Sequence, residues 1–159
     1  MRRGTLGTTL TAIALIAAGC GSDDSETATP TACLGGPQAF AEALGDAPGE
    51  VLVDGTTPIG DCLPDEQSGG QIANVGEALV ATATDLNEQA RRSPQGEAPV
   101  QLGYLVGAVQ AAAEGTAGIH QDLARRVETA ALFVPKGDLV AAAFQQGYEE
   151  GLSAGRETG

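Results

Sequence analysis

Apolar and small residues recur every three or four positions over most of the chain beyond residue 68, the spacing that places them on one face of an α-helix. The first of these patterns follows Ser68, which together with Gln71 has the form of a capping box at a helix start. The pattern ends before Pro94 and Gly96, which both interrupt helices. Its apolar positions are Ile72, Val75, Leu79, Ala83, Leu86 and Ala90. We therefore expect one long helix in this part of the chain.

A second apolar pattern starts near Pro99, continues to Val134 and passes through Gly115 and Gly118. Its positions are Leu102, Leu105, Val109, Ala112, Thr116, Ile119, Leu123, Val127 and Ala130. An unbroken helix of about 36 residues would be about 54 Å long. Because each glycine costs a helix roughly 1 kcal/mol, a bend at the two glycines is the alternative.

A third pattern follows the turn that Pro135-Lys136-Gly137 predicts, with Asp138 as the helix N-cap. Its apolar face consists of Leu139, Val140, Ala143, Phe144, Tyr148 and Leu152. Near the start of the chain, the stretch from Pro37 to Leu44 predicts a short helix, because proline suits the first helical position. The expected fold class is all-α, a small antiparallel bundle of three longer helices and one short N-terminal helix.

The stretch between the short helix and the first long helix is rich in glycine and proline from residue 45 to residue 62, and only Glu50 to Asp54 has an extended pattern. Cys33 and Cys62 bracket this irregular loop. In an exported protein such a pair is most simply a structural disulfide, which would stabilise the fold by about 3.5 kcal/mol. A redox-active pair is the alternative, although the Cys-x-x-Cys spacing that lowers a thiol pKa is absent.

Small residues also recur every four positions within two of the predicted helices. One stripe is Gly103, Gly107, Ala111 and Gly115, and the other is Gly147, Gly151 and Gly155. The glutamine and glutamate residues beside both stripes argue against a pair of membrane-embedded helices. We expect tight helix packing, with Gly76 close to Gly115 where two helices cross. A shallow ligand groove lined by the stripes is the alternative.

The first nineteen residues have a basic start, Arg2 and Arg3, and then an uncharged run, which is the layout of a cleaved export signal. The segment Leu15-Ile16-Ala17-Ala18-Gly19-Cys20 resembles the lipobox of bacterial lipoproteins. This resemblance, limited to the first twenty residues, implies that the chain is cut just before Cys20 and that Cys20 carries the lipid. Ordinary secretory cleavage near Gly19 and an uncleaved anchor are the alternatives.

The stretch from Gly21 to Ala32 contains no large apolar residue and predicts a flexible linker. The expected organisation is a signal peptide (1–19), a lipidated cysteine with its linker (20–32) and a single helical domain (33–159). The resemblance further implies a lipid-anchored protein at the cell membrane that faces the periplasm or the extracellular side. Two or three acyl chains hold such a protein durably, since each buried methylene contributes about 0.8 kcal/mol.

The mature chain is strongly acidic. Without Arg2 and Arg3, 6 of the 8 basic residues remain against 21 acidic residues, which gives a net charge of −15. The remaining basic residues do not cluster, so we expect no nucleic-acid partner, and an anionic membrane surface would repel the domain. Basic proteins, cations and uncharged ligands are the partners that this charge allows.

Residues with catalytic or metal-binding chemistry are few. The chain has no nucleophile elbow, His-Glu-x-x-His motif, phosphate-binding loop or dinucleotide fingerprint. His120, the single histidine, is expected to be a packed or surface residue and not a ligand or general base. Asp61, Asp65 and Glu66 lack the spacing of a calcium-binding loop and are interpreted as a solvated acidic turn. We predict no catalytic residue, metal or cofactor.

These patterns favour a non-catalytic, lipid-anchored envelope protein whose helical module binds another envelope component, most simply a protein. A second hypothesis is a small-molecule or cation binder that uses a groove of the bundle lined by the glycine stripes and glutamine side chains. A third is a hydrolase in which acidic residues converge on His120. The patterns leave the oligomeric state open.

Overall fold

Nearly all regular structure in the protein is helical. The computed structural model describes residues 28–116, 118–132 and 138–158. The helices are α1 (Pro37–Ala43), α2 (Gly69–Arg92), α3 (Ala98–Glu114), α4 (Ile119–Ala130) and α5 (Asp138–Thr158). A small antiparallel hairpin of β1 (Leu52–Val53) and β2 (Thr57–Pro58) lies between α1 and α2, where the sequence predicts one extended piece. The all-α expectation is confirmed.

The start of α2 has the local chemistry that its sequence predicts. The Ser68 hydroxyl accepts a hydrogen bond from the Gln71 backbone N–H, and the Gln71 side-chain oxygen accepts one from the Ser68 backbone N–H, each at 3.4 Å. Two of the N–H groups that a helix start leaves unpaired are thereby satisfied. The helix ends at Arg92, before Pro94, as predicted.

The second long apolar pattern folds as two helices, α3 and α4, and not as one unbroken helix. The N-cap of α4 is Gly118, whose φ of 104° lies in the left-handed region that glycine adopts without a Cβ clash. The chain changes direction there, at one of the two glycines where the sequence allows a bend. The expectation of three longer helices is therefore corrected, because α4 is a separate helix of 12 residues.

Helix α3 lies at the centre of the fold and contacts α2, α4 and α5. Most of its circumference is buried, from Ala98 to Ala113, so it has no wide polar face. Its neighbour α5 begins at Asp138, the residue predicted to start it, whereas the predicted turn at 135–137 lies outside the described residues. Along the contact, Gly103 faces Phe144 and Gly155 faces Ala108, so α3 and α5 run parallel.

The two glycine stripes pack against each other in this contact. A Cβ atom at Gly155 would lie 2.7 Å from Ala111 Cβ and 2.8 Å from the Ala108 carbonyl oxygen, against at least 3.4 Å for an ordinary contact. At the other four stripe positions of the contact a Cβ atom would overlap backbone atoms of the facing helix; these are Gly103, Gly107, Gly147 and Gly151. The tight packing predicted from the stripes is confirmed.

The predicted crossing of Gly76 and Gly115 is wrong. A Cβ atom at Gly76 would meet Leu123 of α4, at 3.1 Å from Cδ1, and nothing lies within 4 Å of the corresponding position at Gly115. The physical reason is the break at Gly118, which lets α4 pack on α2, so that Leu123 fills the space above Gly76.

The disulfide between Cys33 and Cys62 is present, with their Cα atoms 5.5 Å apart. It joins the turn before α1 to the turn before α2 and so closes the irregular loop. Phe40 and Leu44 bury their side chains completely against the core. The Thr82 hydroxyl of α2 also donates a hydrogen bond to the Pro37 carbonyl at 3.2 Å. The loop is therefore part of the same hydrophobic core as the helices.

Within the described ranges, no helix is long and apolar enough to cross a membrane. The predicted signal peptide and Cys20 lie outside these ranges. Thr29 lies in the predicted linker, yet it is buried in the fold, with 6% of its surface exposed.

Candidate binding groove

A groove of about 440 Å³ lies between the disulfide-closed loop and the C-terminal half of α5. One side is formed by residues 48–52 and 58–60 of the loop and the other by residues between 150 and 157 of α5. Tyr104 and Ala108 of α3 lie between the two sides. We call this site the acidic groove, after its carboxylates Glu50, Glu150 and Glu157.

The glycine contact shapes one end of the acidic groove. Gly155 of α5 and Ala108 of α3, which approach each other closely, both line it. Because these residues are small, the helix backbones lie near the surface of the groove. The alternative that the stripes line a groove is thus met at this end, and also at the C-terminal end of α3, where Ala111 and Gly115 line a second groove. The facing helix fills the stripes between these ends.

Tyr104 connects the acidic groove to the core, because only 3% of its surface is exposed. Burial raises the pKa of its phenol above the usual value, and a hydrogen bond with the backbone of Val51 opposes this rise. The carboxylates of Glu150, Glu157 and Glu50 raise the phenol pKa further. Three carboxylates from two separate segments therefore act on one buried hydroxyl.

No basic side chain balances these three carboxylates within the described part of the chain. The ion pairs there join Arg92 to Glu88, Arg125 to Asp122, and Arg156 to Glu114 at 3.6 Å. Arg156, although next to Glu157 in sequence, thus binds a carboxylate outside the groove. All three groove glutamates are exposed, so their field extends into solvent.

Other grooves lie on the surface, including two that are larger than the acidic groove. One of about 590 Å³ lies between α1 and the β1 turn, with Glu42, Asp46 and Asp54 at its edge. The other, of about 540 Å³, lies beside residues 28–30 and the C-terminal end of α3. The acidic groove differs from both because a buried tyrosine lines it.

His120 is packed in the interior, with 1% of its surface exposed. This is one of the two placements that the sequence predicts for it. Its Nε2 lies 3.1 Å from the Gln67 side-chain oxygen. The Gln67 amide nitrogen donates hydrogen bonds to the Thr29 hydroxyl at 2.6 Å and to the Cys62 carbonyl at 3.1 Å. We call Thr29, Gln67 and His120 the buried polar cluster.

The hydrogen bonds determine which ring nitrogen of His120 carries the proton. The Cys62 carbonyl can only accept, so the Gln67 amide must turn its nitrogen toward Cys62 and its oxygen toward His120. The ring therefore donates from Nε2–H, and Nδ1 is the unprotonated nitrogen. Nδ1 is buried and has no hydrogen-bond partner among the residues that the structure describes. Burial lowers the pKa of His120, and the Asp65 carboxylate partly offsets this effect.

The other candidate residues lie apart from the acidic groove. Asp61, Asp65 and Glu66 are exposed, and the described residues contain no group of three His, Cys, Asp or Glu side chains that could hold a metal ion. Of the glutamines beside the stripes, Gln110 serves the packing of the helices: it accepts from the Tyr148 hydroxyl and donates to Glu128, which links α5, α3 and α4. Gln145 is exposed and donates to Glu149 within α5.

Sequence reasoning missed Tyr104, Gln67 and the three groove glutamates as site residues. Nothing in the local pattern marks them, because Glu50 and Glu150 are a hundred positions apart and meet only through the packing of the loop on α5. The net charge of the chain was the one signal that an unbalanced acidic surface exists.

No protein-family model, curated protein or solved structure matches this chain.

Proposed function

We propose that this protein is a lipid-anchored, non-catalytic module of the cell envelope that binds a cationic segment of another envelope protein in the acidic groove. The observation that carries the proposal is the convergence of three unbalanced carboxylates on a groove lined by a buried tyrosine. A lysine-rich or arginine-rich segment complements this charge, whereas an anionic lipid surface or nucleic acid does not.

The anchor in this proposal is Cys20, on the lipobox resemblance. Thr29, the first buried residue of the described chain, follows nine positions later. Nine residues span at most about 32 Å even when fully extended, so the domain would remain close to the lipid headgroups. A partner within the same membrane, or attached to it, is then within reach.

The finer architecture in this proposal is an up-and-down bundle of α2, α3, α4 and α5, with α1 and the disulfide-closed loop packed on one side. Contacts of Gly103 with Phe144 and of Gly155 with Ala108 support a parallel pair of α3 and α5. Alternating directions along the chain also agree with the short connections between successive helices. This arrangement brings the loop to the C-terminal half of α5, where the acidic groove forms.

Charge alone does not give a stable complex. An exposed ion pair contributes about 0.2–1 kcal/mol, so three pairs supply roughly 0.6–3 kcal/mol, a factor of about 3 to 150 in affinity. The rest must come from apolar contacts with the groove, which includes Val51, Leu52 and Ile59. The proposed partner segment therefore combines basic and apolar side chains.

Catalysis is not part of this proposal. A general base would use the unprotonated Nδ1 atom of His120, but this atom is buried in the interior, where no substrate reaches it. The second candidate function is small-molecule or cation binding, which a groove of about 440 Å³ favours because it falls within the usual range for small-ligand sites. Native mass spectrometry of protein purified from its host separates the two candidates, since a retained small ligand adds a defined mass.

Site-specific photocrosslinking in the native host tests the proposal. A photoreactive residue replaces Ser153, an exposed residue of the acidic groove, and in a control it replaces Thr84, an exposed residue of α2. We expect Ser153, and not Thr84, to crosslink to one envelope protein through a basic segment.

A matched pair of triple variants controls for charge. Glu50→Gln, Glu150→Gln and Glu157→Gln together should weaken the crosslink, by up to the factor of about 3 to 150 that three ion pairs contribute to affinity. The equivalent changes at Glu66, Glu77 and Glu97, which are exposed and do not line the groove, remove the same three negative charges and should leave the crosslink intact. Equal loss in both triple variants, or no protein crosslink at Ser153, would contradict the proposal.

A further inference from the structure

The buried polar cluster joins three segments that are far apart in sequence. Thr29 belongs to the start of the described chain, Gln67 immediately precedes the N-cap of α2, and His120 lies in the first turn of α4. The Gln67 side chain bonds to all of the other groups, including the carbonyl of the disulfide residue Cys62. These side-chain bonds therefore hold residues 28–32 and the start of α4 against the same point of the loop.

The buried polar cluster provides no hydrogen-bond acceptor for a second proton on the His120 ring, within the residues that the structure describes. Gln67 Oε1 already accepts from Nε2–H, and Nδ1 has no acceptor among the described residues. A protonated ring would bury both a positive charge and an unpaired N–H donor, and an unpaired buried donor costs about 1–3 kcal/mol even when it is neutral. The ring can take up its proton at low cost only when it reaches water.

We propose that the buried polar cluster is an acid-sensitive latch, in which protonation of His120 releases residues 28–32 and the start of α4 from Gln67. Gly118 immediately precedes α4, and as a glycine it can change its backbone dihedral angles so that the first turn of that helix moves. The disulfide at Cys33 limits the release, because it holds the chain on the loop from that residue onward.

The direction of the pH effect follows from proton binding. A histidine in water has a pKa of about 6.5, and burial lowers the pKa of His120 in the closed latch. The open latch therefore binds more protons, and the closed form is fully favoured above about pH 6.5. Below that pH, each pH unit increases the open fraction by about tenfold for as long as the closed-state ring stays neutral.

The charged groups around the ring set where this transition lies. Asp65, from the loop before α2, acts on His120 and opposes the effect of burial. Asp61 and Glu66 of the same loop are exposed, and Asp122 on α4 is paired with Arg125. Because the Asp65 carboxylate favours the protonated ring inside the closed cluster, replacement of Asp65 by Asn should extend the tenfold rise of the open fraction to lower pH and so increase the opening in acid.

The consequence for the molecule rests on the proposed anchor at Cys20. Release of residues 29–32 adds four residues to the connection between the lipid and the first fixed point at Cys33. Four extended residues span about 14 Å. Acid would thus let the domain move farther from the membrane without unfolding.

Hydrogen exchange of the full chain, measured by mass spectrometry between pH 7.5 and 4.5 and corrected for the intrinsic exchange rate, tests the latch. We expect protection of residues 28–34 to fall about tenfold per pH unit below 6.5, while α3 stays protected. The variant His120→Gln retains a donor for Gln67 and cannot titrate, so its protection should not change with pH. Equal pH dependence in both proteins, or loss of protection in all segments together, would overturn the proposal.

The single histidine allows a second measurement on the unaltered chain by nuclear magnetic resonance. We expect the ring in the Nε2–H form at pH 7.5 and its protonation below pH 6.5, together with the release of residues 28–32. Titration at or above 6.5 while these residues stay protected would overturn the latch. Neither measurement depends on the lipid or the acidic groove, so failure of the latch is distinguishable from failure of the proposed function.

Discussion

Replacement of Gly151 by Ala tests the parallel contact of α3 and α5. A Cβ atom at Gly151 would lie 2.9 Å from both Cα and the carbonyl carbon of Tyr104, and closer still to its carbonyl oxygen. Ordinary contacts begin at about 3.4 Å, so the two helices must separate by at least 0.5 Å. Backbone atoms on both sides leave no flexible side chain that could move aside.

The cost of this separation follows from dispersion forces. The full attraction between two atoms in contact is about 0.1–0.2 kcal/mol. A gap of 0.5–1 Å removes a quarter to a half of this attraction at each atom pair. Over on the order of 50 atom pairs the loss is about 2–4 kcal/mol. Alanine recovers about 1 kcal/mol through its higher helix propensity. We therefore expect a net loss of about 1–3 kcal/mol in the free energy of unfolding, as for other overpacked cores.

Urea denaturation followed by far-ultraviolet circular dichroism measures this loss. The matched control is Gly115→Ala, at a glycine of the other stripe with φ of −80°, where no atom of a described residue from elsewhere in the fold lies within 4 Å of the new Cβ. This control should be neutral or more stable by about 0.4–1 kcal/mol. If Gly151→Ala is as stable as Gly115→Ala, the close helix contact does not exist and the reasoning is refuted.

Three further predictions concern other parts of the fold. Replacement of Cys33 and Cys62 by Ser should lower the free energy of unfolding by about 3.5 kcal/mol in urea denaturation, because the unfolded chain gains the conformational freedom of the open loop. An unchanged urea midpoint would contradict a stabilising disulfide. Gly118→Ala should cost about 1–2 kcal/mol in the same assay, because its φ of 104° strains a residue with a Cβ atom, and full stability would contradict that backbone conformation. Ultraviolet titration should show the Tyr104 phenol ionising above pH 10, so its contribution to stability is complete below pH 10 and is lost as the pH rises further. In the triple variant of Glu50, Glu150 and Glu157 the same phenol should ionise at a lower pH than in the wild type. No difference would show that the carboxylates lie elsewhere.

Local chemistry in the sequence predicts the elements well. The Ser68 and Gln71 pair marks the start of α2 because a capping box needs only neighbouring residues. The disulfide follows from cysteine count and compartment, and the glycine stripes indicate tight packing before any partner helix is known. Each of these inferences depends on short-range or compositional information.

The pairing of elements is where sequence reasoning fails. The sequence reveals both glycine stripes, yet a hairpin of the first two long helical segments with a short turn pairs Gly115 with Gly76, which the structure does not. The left-handed conformation of Gly118 separates α3 from α4, lets Leu123 fill the space at Gly76 and leaves the stripes to face each other. Tyr104 and Gln67 acquire their roles through packing that brings them together with residues more than thirty positions away.

The measurement that tests the central claim most directly is the intact mass of the protein from membrane fractions of its native host, with a thiol-reactive label, for the wild type and Cys20→Ala. A lipid-anchored, disulfide-closed module has the mass of residues 20–159 plus acyl groups, binds no thiol label, and loses both the acyl mass and the membrane association in Cys20→Ala. A soluble wild-type product without acyl groups would contradict the anchor and, with it, the proposed place of the acidic groove in the envelope.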